Sequence, residues 1–227
     1  MTISERYRRP GDLPQRIPVF PLRGVILLPR ASLPLNIFEP RYLAMVDDVM
    51  RGHRIIGVIQ PAGSGDDAAE SPPGKAVDLR RVGCAGRVTA YQELDDGRLV
   101  ISISGVARFE TLAEEPDGRP YRTMQVSYDR FASDLGAATD EREVDREHLL
   151  RVLKSYLEAN RLKADWQAIV AAPIEFLVNA LSVMSPYGPE EKQALLEAAD
   201  LKSRADVLVA LAEMELAGGR GGGSTLQ

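Results

Sequence analysis

The sequence predicts an α+β protein, with an antiparallel β domain in its first half and a helical bundle in its second half. Short apolar runs punctuated by proline fill the chain up to about residue 130. Residues 132–143 show no alternation, and after them apolar residues recur at helical spacing. We therefore divide the chain into a flexible N-terminal segment 1–13, a β-rich part 14–131, a connection 132–143, a helical bundle 144–217 and a flexible Gly-rich tail 218–227.

The first strands are predicted to be short because proline interrupts them. Proline has no backbone donor and fixes its own φ, so it is confined to strand ends, bends and sheet edges. Pro18, Pro21, Pro29 and Pro34 therefore favour a curled barrel rim over a flat sheet. The strands predicted here are Val19–Leu22, Val25–Leu28 and Leu33–Phe38.

A helix is predicted from Pro40 to Arg51. Proline suits the first helical turn, and Glu39 places negative charge at the start of the helix. Gly52 follows the last apolar residue and ends the pattern. The residues expected on the buried face are Tyr42, Met45, Val46 and Val49.

The rest of the β-rich part alternates between apolar runs and turns. Ile55–Ile59 is typical of a strand buried on both faces, and the segment from Pro61 to Lys75 has the composition of a surface loop. Asp95-Asp96-Gly97 predicts a tight hairpin turn, and Gly105 predicts a break between two strands. The later strands are predicted at Val82–Leu94, Arg98–Ser104, Val106–Leu112 and Tyr121–Arg130.

The helical bundle is predicted from apolar stripes. One stripe comprises Leu149, Val152, Leu153, Tyr156 and Leu157, and a second comprises Ile174, Leu177, Val178 and Leu181. Two more helices are predicted at Glu190–Ala199 and Ser203–Leu216, the last with Val207, Leu211 and Met214 on one side.

Composition limits the class of protein. A net charge of −5 argues against nucleic acid as the main ligand, because phosphate binding needs a basic surface. The single cysteine, Cys84, cannot form an internal disulfide and fits a small strand residue. No run approaches the ~20 apolar residues that span a bilayer, so we expect a soluble, cytoplasmic protein.

The sequence predicts no enzymatic chemistry. It has no P-loop that ends in Gly-Lys-Ser/Thr and no Gly-x-Ser-x-Gly elbow. His53 and His148 have no second ligand at metal-binding spacing. Adjacent carboxylates such as Asp47-Asp48 fall on predicted surfaces, where they should be solvated. We therefore expect no catalytic residue, no nucleotide site, no metal and no cofactor.

The opening of the chain resembles a known family. Ile17-Pro18-Val19-Phe20-Pro21-Leu22, then Leu33–Phe38, then Glu39-Pro40-Arg41-Tyr42 are similar to the start of the substrate-binding domain of Lon protease. The resemblance extends from Pro14 to Ala217 and implies a PUA-like pseudo-barrel, related to the β-half of cereblon, followed by a helical bundle. Lon enzymes continue into ATPase and protease modules, and we expect this protein to have neither.

The resemblance implies a stand-alone, non-catalytic module that binds unfolded or partner polypeptides, with an ATP-dependent protease as a candidate partner. Its candidate peptide-binding region is Phe38, Glu39, Arg41 and Tyr42, and Arg41 is expected to reach a nearby carboxylate or carbonyl. The residues expected to build the barrel floor are Phe20, Pro21, Leu22, Pro34 and Phe38.

We also predict where an extended peptide would bind. It could add to a sheet edge left by the short strands, with its side chains in a cleft between barrel and bundle. Two alternatives stay open. One is an adaptor for a dedicated protein partner, acting through the helices of residues 165–214. The other is an RNA-binding PUA-like domain, if the side chains of Arg80, Arg81, Arg87, Arg98 and Arg108 converge.

Overall fold

The computed structural model describes residues 6–63, 77–136, 141–160 and 164–221. Its strands are β1 (Arg16–Pro21), β2 (Ser32–Ile37), β3 (Ile55–Pro61), β4 (Leu79–Glu93), β5 (Leu99–Glu114) and β6 (Arg122–Ser127). Its α-helices are α1 (Pro40–Arg51), α2 (Arg146–Ala159), α3 (Trp166–Ala171), α4 (Ile174–Met184), α5 (Pro189–Glu197) and α6 (Leu201–Gly221). This order confirms the predicted α+β class.

Five of the strands close into a barrel. The ring runs β5-β4-β3-β1-β6 and closes where β6 pairs with β5 again. The pair of β1 with β3 is parallel, and every other pairing is antiparallel. β2 is added outside the ring: it pairs with the first part of β5, and β6 pairs with the last part of the same β5 edge.

The strand predicted at Val25–Leu28 is wrong. These residues form an irregular segment, although Ile26, Leu27 and Leu28 are at most 1% exposed. The segment lies against β5, where the Arg30 amide donates to the Gly105 carbonyl at 2.9 Å. The apolar run therefore indicates burial, and none of the described strands supplies the hydrogen-bond ladder that a strand needs.

The break predicted at Gly105 is also wrong, because β5 continues through it as one strand. Gly105 is glycine for a different reason. A Cβ atom there would lie 2.0 Å from the carbonyl oxygen of Leu28, so no other residue fits beneath this segment. By contrast, the hairpin predicted at Asp95-Asp96-Gly97 is present, with Gly97 at a φ of 80°.

The barrel and the helices share one large apolar core. It joins strand residues such as Val82 and Ile101 to helical residues such as Met45, Val178 and Leu196. A second core lies between the strands of the ring and is centred on Phe109, which is fully buried. Packing from both halves thus fixes the helices on the barrel.

The two ends of the chain differ from the outline drawn from the sequence. Within segment 1–13, Tyr7 and Leu13 are each only 4% exposed and belong to the core of the barrel. At the other end, α6 continues to Gly221, and residues 222–227 lie outside the described part. Most of the predicted loop from Pro61 to Lys75 also lies outside it. No described helix is long and apolar enough to cross a bilayer.

Candidate functional site

The predicted peptide-binding residues lie where β2 leads into α1, but their surroundings differ. Phe38 is 65% exposed, whereas Tyr42 is 6% exposed. The Tyr42 ring stacks on Phe20 with 4.0 Å between centroids, and burial raises the pKa of its hydroxyl. Phe38 can therefore meet a partner directly, while Tyr42 belongs to the core beneath it.

Glu39 and Arg41 form a pair at the start of α1. The Nη2 atom of Arg41 lies 2.7 Å from Oε2 of Glu39, and the guanidinium carbon lies 4.6 Å from the centroid of Tyr42. Both side chains are partly exposed, so this pair adds little stability. Its effect is to hold a charged pair close to the exposed Phe38 ring, one and three residues along the chain.

The predicted barrel floor is correct for Phe20, which is buried, and wrong for Pro34 and Phe38, which are exposed. The reason is the period of two along β2. Leu33 and Ile37 point into the core, so Pro34 lies on the outer face, and Phe38 follows in the same phase just after the strand.

The outer edge of β2 is poorly suited to adding a further strand. Among the described strands, β2 pairs only with β5. Pro34 lies opposite Ser102 in that pairing and has no N–H to offer to a strand on either side. Proline on an edge strand blunts its capacity to pair. The exposed Phe38 side chain is thus a better anchor here than the backbone edge.

The cleft expected between barrel and helices is occupied by hydrogen-bonded side chains where β3 faces α5. Gln60 is 1% exposed, and its Nε2 donates to the Pro189 carbonyl at 2.9 Å and to Oε1 of Gln193 at 3.0 Å. Gln193 in turn donates to the Val82 carbonyl at 3.2 Å. A peptide could enter here only by breaking buried hydrogen bonds.

The arginines of the proposed RNA surface do not form one basic patch. Arg108 is 2% exposed and is paired with Asp134 in the interior. Arg80 pairs with Glu190, and Arg98 pairs with Asp96. Each of these three arginines is neutralised by a carboxylate at a different place. Their arrangement therefore does not support an RNA-binding surface.

No described cluster of at least three His, Cys, Asp or Glu residues is arranged to hold a metal ion. Cys84 is fully buried, and burial raises the pKa of its thiol, which disfavours a reactive thiolate. The Nε2 atom of His148 lies 3.0 Å from Oε1 of Glu213 on α6, a surface pair between two helices. These groups do not form a reactive centre.

A second exposed apolar surface lies on α4. Phe176 is 61% exposed and Met184 is 81% exposed, and their spacing of eight residues separates them by about 12 Å along the helix and about 80° around it. Phe176 lies opposite the stripe from which the helix was predicted, which was the available signal for its exposure. Met184 follows Leu177 by seven residues and so lies on the face of the stripe, but it is the last residue of the helix. Met214 on α6, predicted to face the bundle, is 62% exposed, because its helix packs through Leu208 and Ala212.

Comparison with known proteins places these features in a family. Residues 16–213 match the model of the ATP-dependent protease La (LON) substrate-binding domain. Among curated proteins, Lon protease 2 of Myxococcus xanthus is 28% identical over 88% of this chain, and a Lon protease of Flavobacterium johnsoniae is 26% identical over 86%. The chain spans 24% and 23% of the lengths of these relatives.

Solved structures show the same fold. A Lon N-terminal domain protein from Xanthomonas campestris superposes with a TM-score of 0.59 at 24% identity, over 86% of this chain and 97% of that one. The N-terminal domain of a Mycobacterium avium complex Lon protease gives a TM-score of 0.63 at 15% identity, over 87% and 98%. Because the family model covers nearly the whole chain, the protein belongs to the LON substrate-binding domain family.

Proposed function

We propose that the chain is a non-catalytic module that binds exposed apolar segments of unfolded or partner polypeptides. The family match supports a substrate-binding role. The observation that carries the proposal is Phe38, a large apolar ring that is 65% exposed in a segment fixed by its neighbours. Exposed aromatic side chains on a fixed support are typical anchors of protein interfaces.

The chemistry of the partner follows from the same surface. Phe38 offers apolar area, and the nearby pair of Glu39 and Arg41 offers both an acceptor and donors for the backbone of an extended segment. An unfolded chain presents such segments, and so does a flexible part of an ATP-dependent protease. A module bound to such a protease would deliver substrates to it.

A second candidate function is an adaptor that binds one dedicated protein through α4. Two exposed large apolar side chains on this one helix, Phe176 and Met184, support it, because protein interfaces are enriched in such residues. The two functions use different surfaces, so one set of variants separates them.

Fluorescence anisotropy with a labelled, permanently unfolded polypeptide tests the proposal. We expect saturable binding with the label intact, and Phe38→Ser should weaken it at least about fivefold through the loss of buried apolar area. Phe176→Ser is the matched control and should change the affinity less than about twofold. If instead Phe176→Ser weakens binding and Phe38→Ser does not, the recognition surface is on α4. If the wild-type chain does not bind at roughly 50 μM, the unfolded-chain proposal is wrong.

A further inference from the structure

A pocket of about 280 Å³ lies where the N-terminal segment meets β5 and the 3-10 helix Asp129–Leu135. We call it the Tyr7 pocket, and its lining includes Tyr7, Arg30, Ser104, Val106 and Leu135. Its volume is at or below the range of about 300–1,000 Å³ that is usual for small-molecule sites. It is therefore suited to one large side chain of a polypeptide.

The residues at the base of the Tyr7 pocket are mostly apolar. Val106 is 5% exposed, Leu135 is 8% exposed and Tyr7 is 4% exposed, so each is held in place by the core. Ser104 and Val106 of β5 line the pocket on either side of Gly105. An apolar group that entered would be packed against a rigid surface, which limits the entropy lost on binding.

The surroundings of the Tyr7 pocket carry an excess of positive charge. Nη1 of Arg87 donates to the Tyr7 hydroxyl at 3.0 Å and to the His53 carbonyl at 2.9 Å, and no described carboxylate pairs with Arg87. The guanidinium carbon of Arg6 lies 5.8 Å from the centroid of Tyr7. Both charges therefore lie against Tyr7, one of the lining residues, and neither has a carboxylate partner in the described part of the chain.

The carboxylates at the Tyr7 pocket are already matched. Glu175 accepts from Nε of Arg30 at 2.8 Å, and Asp134 is bound by Arg108 at 2.8 Å. Arg30 also donates to the Asp134 carbonyl, so its guanidinium serves as a wall. Arg6 and Arg87 have no carboxylate partner among the described residues. The resulting excess of positive charge favours a ligand with negative charge.

We propose that the Tyr7 pocket binds an apolar side chain of an extended polypeptide segment that carries Asp or Glu beside it. The apolar side chain packs on Val106 and Leu135, and the carboxylate is bound by Arg87, whose Nε and Nη2 make no hydrogen bond to the described residues. This inference rests on the proposed function, since it names the class of polypeptide segment that is recognised.

Two labelled peptides of equal length test the inference. Both are built from Gly and Ser around one Leu, which is flanked by Asp in one peptide and by Lys in the other. We expect the Asp peptide to bind at least about tenfold more tightly, with an affinity that falls as salt is raised. Arg87→Gln should weaken it by about threefold to tenfold, whereas Arg81→Gln, on the exposed part of the same strand, should leave it within about twofold.

Ser104→Tyr, which fills the Tyr7 pocket, separates the pocket from the surface charge. It should weaken the Asp peptide at least about tenfold while circular dichroism stays native. If Ser104→Tyr does not fold, an Asp peptide with Gly in place of Leu tests the pocket on the wild-type protein and should bind at least about tenfold more weakly. Equal binding of both peptides, or no effect of either variant, would overturn the inference. If the permanently unfolded polypeptide still binds in that case, the proposed function stands without this pocket; if neither ligand binds, both fail.

Discussion

Arg108 and Asp134 form a two-bond ion pair in the interior of the protein. Nε of Arg108 lies 2.9 Å from Oδ2 of Asp134, and Nη2 lies 2.8 Å from Oδ1. The remaining donors of Arg108 reach carbonyls at the end of α5, including that of Leu196 at 3.2 Å. The pair thus joins β5, the 3-10 helix Asp129–Leu135 and α5, and it stabilises the attachment of the helices to the barrel.

Asp134→Asn is expected to lower the free energy of unfolding by about 3–5 kcal/mol, because it leaves Arg108 charged in the interior. A second buried guanidinium aggravates the loss: the pKa of Arg204 is lowered to about 10, first by burial and then by Arg108. Urea unfolding of the variant and the wild type measures the difference. The double variant Arg108→Met/Asp134→Leu removes both charges and should lose less than Asp134→Asn does. A loss below about 1 kcal/mol for Asp134→Asn would show that the interior solvates Arg108 by other means.

At Arg30, a glycine variant should be more stable than an alanine variant, which is the reverse of the usual order. Arg30 has a φ of 64°, where an L side chain costs roughly 1–2 kcal/mol. Both Arg30→Ala and Arg30→Gly lose the bonds to Glu175 and Asp134, but only Gly relieves the backbone. We expect Arg30→Gly to be about 1 kcal/mol more stable than Arg30→Ala in thermal or urea unfolding. Equal stabilities would mean that the loop relaxes once the guanidinium is gone.

Gly105→Ala should cost about 3 kcal/mol or prevent folding, because the new Cβ would meet the backbone oxygen of Leu28, which cannot rotate away. Gly11→Ala is the control, since no atom lies within 4 Å of its added Cβ. It should stay within about 0.5 kcal/mol of the wild type in the same unfolding experiment. A mild effect of Gly105→Ala would show that the segment before Arg30 can lift from β5.

Lys192 should make stability rise with pH on the alkaline side. Its Nζ donates to the carbonyls of Ser182 at 2.8 Å and Val183 at 2.7 Å, and burial lowers its pKa from 10.5 to about 8. Between these two pH values the unfolded chain binds more protons than the native protein, so the native state gains stability as pH increases.

Urea unfolding of the wild type and Lys192→Met across pH 7 to pH 10.5 checks the role of Lys192. The wild type should gain stability relative to the variant above about pH 8, because Met does not titrate. Below that pH, Lys192 is charged in both states, and the difference should be constant. A difference that does not change over the whole range would mean that the native pKa of Lys192 is ordinary.

The sequence was sufficient for features set by local chemistry. The helix Pro40–Arg51 has the predicted bounds, because a first-turn proline and a terminal glycine act within a few residues. The strand predicted at Val25–Leu28 failed because an apolar run records burial and contains no information about a hydrogen-bond partner. Gly105 misled in the same way: its close neighbour, Leu28, is distant in sequence.

In the candidate sites, too, local features could be predicted from the sequence and long-range contacts could not. The location of Phe38 next to the helix start could be predicted, whereas its exposure depends on which face of β2 turns to the core. The Tyr7 pocket could not be predicted, since Tyr7, Arg30, Arg87 and Leu135 come together only when the barrel closes. Their charge balance also depends on pairs such as Arg108 with Asp134, which link residues 26 positions apart.

The pairing of β1 with β6 affects how the chain folds during its synthesis. Residues Arg16 to Val19 lie opposite Arg122 to Gln125, so one side of β1 receives its partner only after more than a hundred further residues have been added. On the ribosome, β1 is synthesised early and β6 late, and the ring cannot close in between. The nascent chain thus carries β1 with one open edge while about a hundred further residues are added, which is the stage at which we expect chaperones to bind it.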